Sequence, residues 1–64
     1  MSDFDLYVDA SIALLTPLTA AAREWLTEAV GPDVFWHGSS LPIELRYLDD
    51  LLEGISEAGW EVDS

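Results

Sequence analysis

A chain of 64 residues forms one domain, residues 1–64, with no room for a second core. Half of its residues are hydrophobic, including three tryptophans, which predicts a folded chain and excludes a disordered acidic tail. The chain has thirteen Asp and Glu, two arginines and no lysine, which gives a formal net charge of −11. This charge argues against direct binding to nucleic acid or to an anionic membrane surface.

The first half of the chain predicts extended structure followed by a helix. Apolar and polar residues alternate over 4–9 with the period of a strand, and the run 11–15 continues as a buried strand. Thr16 and Thr19 are both candidate N-caps for the helix that follows. Its apolar face comprises Leu18, Ala22, Trp25, Leu26 and Ala29, and a Gly-Pro pair at 31–32 ends it.

The second half predicts a hairpin, a second helix and a terminal strand. Two short strands are expected over 34–37 and 41–45, although Pro42 argues against a long ladder because it has no N–H to donate. The second helix has an apolar stripe at helical spacing, formed by Leu48, Leu51, Leu52 and Ile55. Residues 60–63 alternate again and predict a short final strand.

These elements predict the fold class α+β. Their expected order is a small βαββαβ (ferredoxin-like) arrangement, in which both helices pack on one face of a four-stranded antiparallel sheet.

Residue types that serve catalysis occur without the partners that catalysis requires. His37 is the only histidine and matches no nucleophile motif. Neighbouring carboxylates fall on the polar faces of the two helices, where neither member of a pair would be desolvated. The chain has neither the calcium-loop signature nor a cysteine. We therefore expect a protein that is not an enzyme and holds no metal and no cofactor.

The acidic residues of the two helices are the first candidate for a binding site. Like charges four positions apart destabilise a helix slightly, so their recurrence indicates a use beyond solubility. Such rows have a spacing close to that of phosphates along a nucleic-acid strand. We expect them to bind a protein partner with a basic, nucleic-acid-binding surface and to block access of DNA or RNA. The residues of this acidic face are Glu24, Glu28, Asp49, Asp50, Glu53 and Glu57.

Two alternatives remain open. Charged helix exteriors are ordinary, and acidity can be a general property of a proteome. Alternatively, the chain is a protein-interaction module or an antitoxin that binds through an exposed aromatic or apolar sheet face, which could also serve a homodimer. The residues of that alternative face are Tyr7, Phe35, Trp36 and Trp60.

The stretch from Ser11 to Trp60 resembles a group of short proteins from bacterial plasmids and phages. The pieces that carry the resemblance are SIALLTPLT over 11–19, AAREW over 21–25 and LRYLDDLLEG over 45–54. In size, acidity and lack of catalytic residues, the chain is also similar in type to anti-CRISPR proteins. Several of those are small acidic inhibitors of CRISPR effector complexes, so the resemblance implies a DNA mimic encoded by a mobile element. It assigns no individual inhibitor residue.

The start of the chain is acidic where a secretory signal would be basic. The apolar run Ile12 to Leu15 is too short to cross a bilayer. We therefore expect a protein of the cytoplasm of a bacterial host cell.

Overall fold

Four strands form one sheet, and two helices connect strands that follow one another in the sequence. The computed structural model describes residues 2–63. The elements are β1 (Phe4–Asp9), β2 (Ile12–Pro17), α1 (Ala20–Val30), β3 (Leu41–Glu44), α2 (Leu45–Glu57) and β4 (Val62–Asp63). The order across the sheet is β3-β2-β1-β4. The pairs β1–β2 and β2–β3 are antiparallel, whereas β4 lies parallel to β1.

The predicted α+β class, with four strands and two helices, is confirmed. The strands are distributed along the chain differently from expectation, since β1 and β2 form a hairpin before α1 and a single strand separates the helices. The prediction of a strand over 34–37 is wrong, because in that segment only His37 makes a bridge, to Ser40. The expectation of an all-antiparallel sheet is wrong at its β4 edge.

The sheet partner of β3 is the distant strand β2. Leu41 and Ile43 of β3 lie opposite Leu15 and Ala13 of β2, and all four side chains are buried. The burial of apolar surface is the main favourable term in folding, and it favours this pairing. The other edge of β3 remains open, because Pro42 in the middle of β3 has no N–H to donate and the neighbouring segment makes only the bridge between His37 and Ser40.

Both helices cover the same face of the sheet, as predicted. Side chains alternate between the two faces of a strand, so the register places all buried strand residues on one side. The core of that side consists of Phe4, Ala13, Leu15, Leu41 and Ile43 from the strands, with Ala22 and Leu26 from α1 and Leu48 and Ile55 from α2. The opposite face of the sheet, called the outer face below, carries no helix.

Local signals set the ends of the helices. The Oγ1 atom of Thr19 accepts a hydrogen bond from the Ala22 N–H at 3.0 Å, so Thr19 is the N-cap of α1. After α2, Gly59 adopts a φ of 88° and the Trp60 N–H donates to the Ile55 carbonyl at 3.0 Å. This reversal returns the chain to the core, where the ring of Trp60 lies 6.3 Å from that of Phe4.

Candidate protein-binding surfaces

All six carboxylates of the predicted acidic face are exposed in the structure. Glu24 and Glu28 lie one turn apart on α1. On α2, a row of three acids at spacing four is formed by Asp49, Glu53 and Glu57, with Asp50 beside it. Each step of four residues advances about 6 Å along a helix. The structure thus presents one acidic row on each helix.

The closest contacts of both arginines are with residues outside these rows. The Nε atom of Arg46 lies 3.0 Å from Oε2 of Glu44, and its guanidinium lies 4.8 Å from the centre of the Tyr47 ring. The guanidinium of Arg23 lies 4.5 Å from the centre of the Trp36 ring. Within residues 2–63, no arginine forms an ion pair with any of the six predicted carboxylates. Their negative charge is therefore not neutralised by contacts inside the described structure.

The structure places His37 in an exposed turn. Its backbone exchanges two hydrogen bonds with that of Ser40, at 2.8 and 3.0 Å. In the described part of the chain, no group of three or more His, Asp and Glu side chains is arranged to hold a metal ion. Neither helix described here is long and apolar enough to cross a membrane.

The four aromatic residues of the alternative face do not lie together on the outer face of the sheet. Tyr7 does lie there and is 59% exposed. Phe35 is 92% exposed, in the segment between α1 and β3. Trp36 is half-buried beneath Arg23. Trp60 is half-buried on the helix side, where its ring lies 6.5 Å from that of Trp25.

The outer face has a different apolar centre, which the sequence analysis did not identify. The register places Tyr7, Leu14 and Pro42 side by side across β1, β2 and β3. Ile12, 37% exposed, lies in the next row between Asp9 and Glu44. The signal was present in the alternation of the second strand, because Ile12 and Leu14 fall on the face opposite to the buried Ala13 and Leu15.

Acidic and hydroxyl side chains border this apolar centre. Asp5 lies opposite Thr16 on one side, and Oγ1 of Thr16 lies 2.7 Å from Oγ of Ser40. Asp9 and Glu44 border the other side. The outer face therefore combines exposed apolar side chains with a negatively charged border.

The chain matches no protein-family model, no curated protein and no solved structure. Its resemblance to plasmid and phage proteins and to anti-CRISPR inhibitors therefore stays a prediction. Proposals about its partners depend on the surfaces described above.

Proposed function

We propose that this protein is a small acidic inhibitor that binds a basic, nucleic-acid-binding surface of another protein and blocks access of DNA or RNA. The observation that carries the proposal is the exposure of six helix carboxylates, none of which is paired with an arginine within residues 2–63. The proposed partner is a CRISPR effector complex or another nucleic-acid-binding protein in the cytoplasm of a bacterial host. In this function the protein acts by occupancy and needs neither catalysis nor a cofactor.

The arrangement on α2 supports mimicry of a nucleic-acid backbone. Asp49, Glu53 and Glu57 repeat the same charge on successive turns of one helix. Like charges at this spacing cost about 0.2–0.5 kcal/mol per pair, and no arginine of the described chain forms an ion pair with these three residues. A basic partner would relieve this repulsion upon binding. The net charge of −11 would also steer the encounter over distances comparable to the Debye length.

Capture of partners from a host lysate tests this proposal. The immobilised protein is washed at about 0.1 M and then at about 1 M salt, where the Debye length falls from about 10 Å to about 3 Å. We expect recovery of a basic nucleic-acid-binding protein that elutes as the salt concentration rises. Competition by DNA or RNA for the recovered partner then shows whether its nucleic-acid site is the surface that is covered.

Two variants with the same change in net charge localise the contact. Glu53→Lys combined with Glu57→Lys reverses two charges on α2, whereas Asp5→Lys combined with Asp9→Lys reverses two charges on the outer face. We expect the first variant to weaken capture at least about tenfold and the second to change it much less, because like charges brought together across an interface are costly. Equal weakening by both variants would mean that only net charge matters, and would contradict a site on α2.

A second candidate function is that of a protein-interaction module that binds through the outer face. The specific observation is the row of Tyr7, Leu14 and Pro42, of which Tyr7 and Pro42 are exposed and Leu14 is half-buried. Its acidic border disfavours a homodimer through this face, because two copies would bring the carboxylates of Asp5, Asp9 and Glu44 close to those of the other copy. Under this function Tyr7→Ala abolishes capture and the partner stays bound at about 1 M salt. Leu18→Ala, at a side chain that is 53% exposed, is the matched control.

A further inference from the structure

A cleft of about 480 Å³ lies beside β3, at the edge of the sheet. Its lining includes Val30 at the end of α1, Val34 in the following segment, and the buried Leu41 and Ile43 of β3. Tyr47 and Leu51 of α2, one turn apart, also line the cleft. This volume falls within the range of about 300–1,000 Å³ that is typical of ligand pockets. The lining is mainly aliphatic and aromatic, which suits an apolar side chain.

The free edge of β3 limits how a partner can bind there. An edge strand binds a partner strand through unpaired backbone groups. The Ser40 N–H and carbonyl are already bonded to His37, and Pro42 has no N–H. Strand addition is therefore disfavoured at this edge, and insertion of a side chain into the cleft is the available mode.

The charged residues of the cleft indicate which charge a ligand should carry next to that apolar side chain. Glu44 and Asp50 are the charged residues in its lining. Glu44 is held by Arg46, whereas Asp50 forms no ion pair with an arginine of the described chain. Asp50 also belongs to the acidic surface of α2, so the cleft is continuous with that surface. An apolar side chain that enters here arrives next to an exposed carboxylate that can pair with a cation.

We propose that the cleft binds a peptide segment of the partner in which a large apolar side chain, such as Phe or Leu, stands next to Arg or Lys. The apolar side chain fills the cleft and the adjacent cation pairs with Asp50. This inference rests on the proposed function only in that the partner is basic. It adds an apolar anchor that a pure charge mimic would lack. Phe35, which directly follows Val34 and is 92% exposed, is available to contact the same segment.

Peptide titration of the ¹⁵N-labelled full chain, followed by NMR, tests the proposal. The probe is the capped pentapeptide Gly-Arg-Phe-Arg-Gly. Gly-Arg-Gly-Arg-Gly keeps its charge without the apolar side chain, and Gly-Glu-Phe-Glu-Gly keeps the side chain with the opposite charge. We expect saturable amide shifts at Val34, Tyr47 and Leu51 with the first peptide. Gly-Arg-Gly-Arg-Gly should bind at least about tenfold more weakly, because the burial of a Phe side chain contributes about 1.5–3 kcal/mol. Gly-Glu-Phe-Glu-Gly should also bind more weakly, because its carboxylates are repelled by Asp50 and by the net charge of the chain.

Two variants at exposed positions keep the test independent of folding. Asp50→Asn is nearly isosteric and should lower the affinity for Gly-Arg-Phe-Arg-Gly about 1.5- to fivefold. The affinity for Gly-Glu-Phe-Glu-Gly should stay the same or rise. Tyr47→Ala removes a side chain that is 54% exposed, and it should lower the affinity for Gly-Arg-Phe-Arg-Gly more than Asp50→Asn does. The unchanged amide spectrum outside the cleft verifies that each variant is folded.

Three outcomes would overturn the proposal. The three peptides could bind equally, the shifts could map to α1 and not to the cleft, or a second copy of this chain could occupy the cleft. Sedimentation at rising concentration detects the last outcome as a dimer that Phe35→Ala dissociates. Failure here is distinguishable from failure of the proposed function, because capture of the basic partner through Glu53 and Glu57 does not require the cleft.

Discussion

Phe4 and Phe35 offer a direct test of the core, because one residue type occupies opposite environments. Phe4 is fully buried, and its ring lies 6.2 Å from that of Trp25 and 6.3 Å from that of Trp60, both edge-to-face. Phe35 is 92% exposed. Phe4→Leu keeps an apolar side chain but removes two ring contacts worth about 0.5–1.5 kcal/mol each, so we expect a loss of about 1–3 kcal/mol. At Phe35 the same substitution should change stability by less than about 0.5 kcal/mol.

Urea denaturation measures both variants. A 64-residue domain has a free energy of unfolding of roughly 3–10 kcal/mol, so the loss expected for the Phe4 variant is a large and measurable fraction of it. With a denaturant slope near the lower limit for small proteins, about 1 kcal/mol per M, its midpoint should fall by about 1–3 M. Far-UV circular dichroism is the readout, because tryptophan fluorescence would report the altered surroundings of Trp25 and Trp60. Equal midpoints for the two variants would refute the placement of Phe4 at the centre of the core.

Three further predictions concern local structure and charge. Gly54→Ala should raise the free energy of unfolding by about 0.5–1 kcal/mol, because Gly54 lies inside α2 with open space around an added Cβ. Gly59→Ala should lower it by about 1–2 kcal/mol, because Gly59 has a φ of 88°. Urea midpoints that move in the same direction for both variants would contradict these assignments. Thr19→Ala removes the N-cap of α1 and should cost about 1 kcal/mol, while Thr27→Ala, at an exposed hydroxyl that bonds the Arg23 carbonyl, should cost less than half of that in the same assay. An increase in salt from about 0.1 M to about 1 M should raise the thermal midpoint, because it screens the self-repulsion of a chain with a net charge of −11; a lower midpoint would show that ion pairs outweigh the repulsion.

The helices were predictable because their signals are local. Leu48 and Ile55 are buried on α2, with Leu51 and Leu52 half-buried beside them, as the helical spacing of the stripe predicts. The same spacing places the acidic residues of both helices towards solvent. The helix starts and ends were also encoded locally, since Thr19 and Gly59 each act within one turn of their own position.

The strand pairing was not predictable in the same way. The sequence places 34–37 next to 41–45 and contains a glycine between them, which favours a hairpin. The structure pairs β3 with β2, more than twenty residues away, because this pairing encloses Leu15 and Leu41 under the helices. A pattern of apolar residues specifies that a segment is a buried strand, but it does not specify which strand lies beside it.

The aromatic residues show the same limit for a binding surface. Tyr7, Phe35, Trp36 and Trp60 form no common face, because Trp36 stacks under Arg23 and Trp60 completes the ring cluster around Phe4. Composition indicates how many aromatic side chains exceed the capacity of a small core. It cannot indicate which of these side chains are buried in the core.

The cleft joins the two hypotheses that the sequence left open, a charged surface and an apolar one. Its lining comes from α1, the segment after it, β3 and α2, so no single segment of the sequence predicts it. Asp50 belongs both to the cleft and to the acidic surface of α2. A partner bound there would lose affinity with rising salt only in part, because the apolar contact is insensitive to screening. A residual affinity at about 1 M salt that Tyr47→Ala removes would therefore separate this combined site from charge mimicry alone.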